Sequence, residues 1–262
     1  MYEPGWNMDF NSVYEEYKGY GEKLKSYVID TAYYLNKAID AGKKVVFEGA
    51  QGSLLGIDHG MYPFGTSSNA NALGICAGTG IPPKKIGKLY GIIKAYTSRV
   101  GEGSVPTELF NEIAEKIREQ GHEYGTVTGR PRRIGWLDLF NIKYSLMING
   151  IDRIIITLLD ALQGINPIKI CTAYELNGEI LESWPIQHEI IEKCKPIFKE
   201  FNGWNELSSE EWSEMARKGY DALPETMKIY IQTIQEELRT DIAMISIGPN
   251  RNDTIVLEKD IF

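Results

Sequence analysis

The segment RIIITLLD at residues 153–160 carries the strongest signal for the fold class of this chain. Its apolar residues are continuous rather than alternating, which is typical of a strand that is covered on both faces in a parallel sheet. The residues before it, 137–149, predict a helix that Gly150 closes. Because predicted strands and helices alternate along the chain, we expect an α/β fold with a mostly parallel sheet flanked by helices. Functional groups are then expected at the carboxyl ends of the strands.

Further elements are predicted on both sides of this strand. We expect strands near residues 44–48, 86–97, 241–247 and 254–257. We expect helices over residues 10–41, 137–149 and 224–238, and a mostly helical stretch over 187–217 with turns near Pro196 and Gly203. Another helix is predicted to open at Pro106-Thr107-Glu108, with Thr107 as its cap, and to end at Gly121. Asn177-Gly178 predicts a small antiparallel hairpin between residues 169–174 and 179–181.

Composition indicates a folded protein that works in a reducing compartment. The 262 residues are 43% hydrophobic, which is enough for a sizeable core, and we treat residues 1–262 as part of a single domain. No apolar run approaches the ~20 residues of a membrane span, and we expect no secretion signal. Cys76, Cys171 and Cys194 are odd in number and widely spaced, which suits the cytoplasm. The net charge of −8 argues against general nucleic-acid binding.

Residues 45–74 form a polar, glycine-rich stretch, VVFEGAQGSLLGIDHGMYPFGTSSNANALG. Glycine lets the backbone approach a ligand closely, and the hydroxyl and amide side chains can donate or accept hydrogen bonds. A Gly-rich surface loop without a ligand explains the pattern as well. On the residues alone, these two interpretations stay open.

Residues 125–133, GTVTGRPRR, place three arginines within four positions beside a Thr-Gly turn. A planar guanidinium binds carboxylate or phosphate through two parallel hydrogen bonds. A solvated basic patch is the alternative, but this cluster lies in a chain that has 36 Asp+Glu against 28 Lys+Arg. The local basic cluster therefore favours an anion-binding loop.

These segments resemble the adenylosuccinate synthetase family. The resemblance lies in five blocks that occur in family order: FEGAQGSLLGIDHGMYPFGTSSN, GIIKAYTSRVGEGSVPTEL, YGTVTGRPRRIGWLDL, LLDALQG and ISIGPNRNDTI. The resemblance implies a large parallel sheet distantly like that of P-loop NTPases. It also implies GTP-dependent ligation of IMP and L-aspartate through 6-phosphoryl-IMP, in a cytoplasmic homodimer.

The family's glycine-rich phosphate loop, its catalytic Asp and its catalytic His have no match in this sequence. We therefore expect the chain to be a C-terminal portion that is inactive alone, with the ligands for the family's Mg²⁺ in a missing N-terminal segment. No residue of this chain is assigned as a catalytic acid or base or as a metal ligand. His59 lies in the later IDHG block and is not the family's catalytic His.

The resemblance assigns binding positions residue by residue. The expected IMP-binding residues are Gln51, Thr66 and Arg130. The expected aspartate-binding residues are Thr126, Val127, Thr128, Gly129, Arg130, Pro131 and Arg132. The expected GTP-binding residues are Arg132, Leu158, Leu159, Asp160, Ser246, Ile247 and Gly248. Without the resemblance, Gln51 could simply close its own turn and Thr66 could cap a helix.

Two positions depart from the family's guanine pocket. Leu158 replaces a family Lys before Asp160, and Ile247 replaces a commoner Thr. The resemblance implies that Asp160 accepts hydrogen bonds from the guanine N–H groups, a donor pair that adenine lacks. Two alternatives to an active ligase remain: a non-catalytic purine-nucleotide-binding paralogue, and an unrelated α/β enzyme with a similar arginine loop.

Overall fold

The computed structural model describes residues 8–127, 129–259 and 261. The helices are α1 (Phe10–Leu24), α2 (Thr31–Asp40), α3 (Leu73–Thr79), α4 (Glu112–Gln120), α5 (Leu139–Asn149), α6 (His188–Ile191), α7 (Ser209–Lys218) and α8 (Glu225–Leu238). The strands are β1 (Tyr90–Lys94), β2 (Thr97–Arg99), β3 (Arg133–Gly135), β4 (Leu137–Asp138), β5 (Arg153–Thr157), β6 (Ile168–Leu176), β7 (Glu179–Ile180), β8 (Lys195–Phe201), β9 (Ile242–Ser246) and β10 (Thr254–Val256).

The central sheet has the strand order β1-β5-β9-β10. β1, β5 and β9 run parallel, and β10 pairs antiparallel with β9. Lys94 lies opposite Thr157, and Ile156 lies opposite Ile245, so the carboxyl ends of the parallel strands fall at one edge. The predicted α/β fold with a mostly parallel sheet is confirmed.

A second sheet contains the predicted hairpin. β6 and β7 pair antiparallel around Asn177 (φ 54°) and Gly178 (φ 89°), the left-handed pair that a tight two-residue hairpin requires. β8 pairs with β6 on its other side. β8 lies within residues 187–217, which were predicted to be mostly helical. That prediction is wrong, because only α6 and α7 are α-helices in this stretch. Phe198 and Phe201 of β8 pack against the core, and that tertiary contact outweighs the polar local sequence.

Three other sequence predictions are wrong in detail. Residues 44–48 form no strand, and Val46 is 72% exposed. The helix expected from Thr107 begins five residues later, because the side chain of Asn111 caps α4 by accepting the N–H of Ala114. The helix expected over 10–41 breaks into α1 and α2, because Asp30 adopts an extended conformation and caps the second helix.

The core lies between the central sheet and helices α4, α5, α7 and α8. It is built from Ile154 and Ile156 of β5, Ile245 of β9 and, from α8, Tyr230 and Ile234. The Tyr230 hydroxyl donates to the carbonyl of Ala95 at 2.7 Å, which ties α8 to the carboxyl end of β1. Within the described ranges, no helix has the length and apolar character that crossing a membrane requires.

Candidate functional site

Three predicted segments meet where the parallel strands end. β1 ends at Lys94 and continues into Tyr96, β5 continues through Leu158 to Asp160, and β9 ends at Ser246. Tyr96 and Arg132 both donate hydrogen bonds to Glu123, at 2.6 and 2.7 Å, so the base of the arginine loop lies at the same edge. The sheet edge thus collects the positions that the resemblance assigned to GTP and one of those assigned to aspartate.

Asp160 is a partly buried carboxylate without a full set of partners. Its Oδ1 atom is buried and has no hydrogen-bond partner in the part of the chain that the structure describes. Burial raises the pKa of Asp160, and the negative charge of Asp253 adds to the effect. A buried, unpaired carboxylate oxygen is unfavourable, and N–H donors of a ligand would relieve it. Leu158, two residues before, has a left-handed φ of 62°, a strained conformation for leucine.

The segment Ser246-Ile247-Gly248 is held against Asp253. The N–H of Ile247 donates to the Asp253 carbonyl at 3.0 Å. A Cβ on Gly248 would lie 2.6 Å from Asp253 Oδ2, so only glycine fits there. The side chain of Ile247 is fully buried in the core, as is that of Leu159. The two residues can therefore offer a ligand only backbone groups, and packing gives a physical reason for isoleucine at position 247.

Asp253 is a buried residue at this edge that is not predicted from the sequence. It accepts hydrogen bonds from Ser213 Oγ at 2.6 Å and from the N–H of Asn250 at 2.9 Å. Burial opposes its ionisation, but the hydrogen bonds from Ser213 and Asn250 outweigh burial and hold the pKa of Asp253 below its usual value. The signal available in the sequence is the Asn-x-x-Asp spacing of residues 250–253, which forms a reciprocal cap in the structure.

The arginine loop is closed by its own backbone. The N–H of Gly125 donates to the Arg130 carbonyl, and the N–H of Gly129 donates to the Gly125 carbonyl, both at 2.8 Å. Gly129 has a left-handed φ of 64°, and Pro131 bridges to Tyr124. Thr126, Val127, Gly129, Arg130 and Pro131 are all exposed. Thr128 lies outside the described residues.

Arg132 is held at the base of this loop. Its Nη1 atom donates to Glu123 Oε2 at 2.7 Å, and its backbone N–H donates to the Glu123 carbonyl at 2.8 Å. Its Nε atom is buried and has no partner among residues 8–127, 129–259 and 261. An arginine that is fixed on one side and unsatisfied at Nε can still receive an anion.

Gln51 and Thr66 lie on a separate loop. Gln51 is exposed with a left-handed φ of 65°. Thr66 Oγ1 donates to the Leu55 carbonyl at 3.1 Å and accepts the N–H of Ser68 at 3.1 Å, so it closes a turn and caps no helix. Asn149, at the end of α5, holds this loop by accepting the N–H of Ala72 at 2.7 Å. In the described part of the chain, neither Gln51 nor Thr66 shares a hydrogen bond with the sheet-edge residues.

A cleft of about 710 Å³ opens beside the Thr66 loop. Phe64, Ser104, Arg133 and His188 line it, and Ser104 Oγ lies 2.7 Å from His188 Nδ1. Ser104 and His188 are not predicted as site residues from the sequence, because 84 residues, which include the elements from α4 to β7, separate them. Only the tertiary structure brings these residues together.

The family model for adenylosuccinate synthetase matches residues 1–255. The chain belongs to the adenylosuccinate synthetase family. A solved structure described as fully ligated adenylosuccinate synthetase from Plasmodium falciparum is similar, with a TM-score of 0.90 and 38% sequence identity. The alignment covers 96% of this chain and 59% of that chain, so this chain spans less than two thirds of the Plasmodium protein.

A second solved structure is the cyanophage S-2L succinoaminodeoxyadenylate synthetase (PurZ) bound to dGMP and dATP as an energy donor. It aligns with a TM-score of 0.47 and 18% identity over 80% of this chain and 45% of that chain. The fold class predicted from the adenylosuccinate synthetase resemblance agrees with the Plasmodium structure.

Adenylosuccinate synthetases depend on Mg²⁺ together with GTP. Among the described residues, no group of three His, Cys, Asp or Glu side chains converges as a metal site. Mg²⁺ that accompanies a nucleotide takes ligands from phosphates and water as well as from one or two carboxylates.

Proposed function

We propose that this protein is an adenylosuccinate synthetase, a GTP-dependent carbon–nitrogen ligase that joins IMP and L-aspartate through 6-phosphoryl-IMP. The observation that carries the proposal is the meeting of Asp160, Arg132 and residues 246–248 at one sheet edge, with Asp160 Oδ1 and Arg132 Nε both buried and unsatisfied in the described part of the chain. A carboxylate acceptor and a guanidinium donor there suit a guanine base and an anionic substrate.

In this proposal the guanine base of GTP binds between residues 158–160 and residues 246–248. Asp160 accepts the ring N–H and the exocyclic amine, which satisfies its unpaired Oδ1 and favours its ionised form. Leu158, Leu159, Ser246, Ile247 and Gly248 form the walls, with Leu159 and Ile247 contributing backbone groups. Because Leu158 stands where the family has Lys, the selectivity for guanine over adenine rests on Asp160 in this proposal.

The aspartate substrate binds at residues 126–132 in this proposal. Arg130 and Arg132 neutralise its carboxylates, with Arg132 also facing the GTP phosphates and Arg130 also reaching IMP. Thr126, Val127, Gly129 and Pro131 shape the loop, whose exposed tip can close over the ligand. Thr128 belongs to the same proposed site.

IMP binds the loop that carries Gln51 and Thr66 in this proposal. The hydroxyl of Thr66 now donates to the Leu55 carbonyl, which also accepts the backbone N–H of Thr66 at 2.8 Å. The hydroxyl proton can therefore turn toward a phosphate oxygen while the backbone hydrogen bond still closes the turn. Gln51 is exposed and lies outside any helix or strand, so its side-chain amide can contact the nucleotide.

The proposed reaction has two steps. The γ-phosphoryl group of GTP moves to the O6 oxygen of IMP, and the amino group of aspartate then displaces phosphate from that carbon. Mg²⁺ supplies charge neutralisation at the phosphates. We assign this chain's residues to binding and orientation and none of them to acid–base catalysis. We also propose that residues 1–262 belong to a single domain and that the protein works in the cytoplasm as a homodimer.

The test is a turnover assay on the full-length protein with IMP, L-aspartate, GTP and Mg²⁺. The proposal expects adenylosuccinate, GDP and phosphate in equal amounts, with no product when any one substrate is left out. Calorimetry under the same conditions measures binding. GTP and IMP binding without turnover would contradict the ligase proposal and favour a non-catalytic nucleotide-binding paralogue.

A further inference from the structure

Glu123 is a buried carboxylate that the proposed reaction leaves without a role. Its side chain is 1% exposed, between the end of α4 and the arginine loop. It accepts hydrogen bonds from the Tyr96 hydroxyl at 2.6 Å, from Arg132 Nη1 at 2.7 Å and from Lys94 Nζ. These partners come from the carboxyl end of β1 and from the base of the arginine loop.

The backbone fixes Glu123 and Arg132 to each other and to α4. The Glu123 carbonyl accepts the N–H of Arg132, and the N–H of Glu123 donates to the Arg118 carbonyl at 2.9 Å. Arg118 Nε in turn donates to the Arg132 carbonyl at 2.9 Å. Glu123 is therefore a rigid support for the Arg132 side chain.

The charges of this cluster keep Glu123 ionised and leave a positive excess. Burial raises the pKa of Glu123, but hydrogen bonds from Lys94, Tyr96 and Arg132 outweigh burial, so its pKa lies below the usual value. Burial together with Glu123 raises the pKa of Tyr96, so its hydroxyl remains a donor. Lys94 and Arg132 carry two positive charges against the single negative charge of Glu123.

Arg133, the next residue, pairs with a glutamate in a different geometry. Arg133 places both Nε and Nη2 on Glu108, with Nε 2.8 Å from Oε1, and its Nη1 donates to the Gly103 carbonyl at 2.6 Å. The two nitrogen atoms with which Arg133 could bind a carboxylate ligand are therefore already paired with Glu108. Arg132 is held at Nη1, while its Nε has no partner in the described ranges. The two consecutive arginines are thus paired differently: the Nε and Nη2 atoms of Arg133 are both bonded to Glu108, whereas Arg132 bonds its glutamate through Nη1 alone.

We propose that Glu123 is a positioning residue. It holds Arg132 by Nη1 and so orients the rest of the guanidinium, on a side chain that is 30% exposed, toward the anionic group of a bound substrate. Lys94 balances the charge of Glu123, so Arg132 keeps its full attraction for carboxylate or phosphate. This inference rests on the proposed function for its substrate, L-aspartate beside the GTP phosphates.

The variant Glu123→Gln separates positioning from simple charge. Gln keeps the size of the side chain but removes one negative charge next to Arg132. Simple electrostatics predicts tighter binding of anionic L-aspartate, whereas loss of positioning predicts weaker binding. We expect the KM for L-aspartate to rise about tenfold or more, as for one lost charge-assisted hydrogen bond, with a smaller change in kcat. An unchanged or lower KM would overturn the inference.

Glu108→Gln is the matched control. It weakens an equally local arginine–glutamate pair but leaves the Arg132 contacts intact, so the KM for L-aspartate is expected to stay within about twofold of wild type. The melting temperatures of both variants show whether either has lost its fold. An aspartate defect of the same size in Glu108→Gln would mean that general loosening, and not Arg132 positioning, explains the result.

A double variant tests whether Glu123 acts through Arg132. In an Arg132→Leu background, Glu123→Gln is expected to add no further increase in the KM for L-aspartate, because the group that it positions is gone. Independent, additive effects would contradict the inference.

A spectroscopic measurement separates this inference from the proposed function. Nitrogen-resolved NMR of the Arg132 guanidinium is expected to show distinct Nη signals in wild type, because the group is held, and averaged signals in Glu123→Gln. Averaged signals in wild type would overturn the positioning role even if the enzyme is active. Distinct signals in a protein without turnover would contradict the ligase proposal alone.

Discussion

Helices α1 and α2, within residues 8–88, contain no buried residue, whereas α8, within residues 90–256, buries a full face. Both helices of the first region have an N-terminal cap: the side chain of Asp9 caps α1, and that of Asp30 caps α2. Caps therefore define where a helix begins, while burial depends on what the rest of the chain places against it.

The same contrast divides the proposed site. Gln51 and Thr66 lie on a loop of the first region that hydrogen bonds hold at its base. Asp160 and Arg132 lie in the second region, on segments that a packed sheet positions. We therefore expect Asp160 and Arg132 to be rigid before ligands bind, and the loop with Gln51 and Thr66 to depend more on its ligand.

The largest expected effect compares a core residue with an exposed one. Ile156→Ala on β5 removes a side chain of 0% exposure and is expected to lower the free energy of unfolding by about 2–5 kcal/mol. Tyr17→Ala on α1 removes a side chain from a residue that is 67% exposed and is expected to change it by less than about 0.5 kcal/mol. Urea unfolding measures both. A large effect of Tyr17→Ala would break the comparison, because α1 would then pack against a partner.

A pH-dependent effect is expected in the packed region. Burial raises the pKa of Asp138 to about 6, although the Tyr174 hydroxyl and the N–H of Asn141 hydrogen-bond to it. The folded state therefore prefers the protonated acid. The stability that this preference gives is present below the unfolded pKa of about 4 and is lost as the pH rises toward 6.

Asp138→Asn removes this titration while retaining an acceptor for Tyr174 and a good cap for α5. The variant is expected to gain up to about 3 kcal/mol relative to wild type between pH 4 and pH 7, measured by denaturant unfolding at each pH. Parallel stability curves for the two proteins across this range would contradict the prediction.

The smallest expected effect tests the proposed contact between Asp160 and the guanine base. Asp160→Asn is expected to reduce the preference for GTP over ATP by about tenfold or more, because an amide offers one acceptor and one donor where guanine presents two donors. Since burial raises the pKa of Asp160, the variant is also expected to be no less stable than wild type at neutral pH. Competition assays with both nucleotides measure the preference, and an unaltered ratio would refute the assignment.

Predictions from the sequence worked where one segment carried its own signal. The continuous apolar run of β5 is a buried parallel strand, and Asn177-Gly178 makes the hairpin. They failed where distant residues decided. The prediction of helix across β8 is wrong, because the polar residues there give no local strand signal and the strand forms by pairing with β6. Residues 44–48 have the composition of a strand but no strand pairs with them in the described part of the chain.

The alternation of strands and helices, the turns and caps, and the family follow from the amino-acid sequence, because these depend on residues that are near one another or on motifs of fixed spacing. The contacts of Glu123 with Arg132, Lys94 and Tyr96, and the support of residues 246–248 by Asp253, come from the folded arrangement of the chain. Sheet register and helix packing bring these groups together from distant positions. Burial then sets their charge states, and neither follows from local sequence.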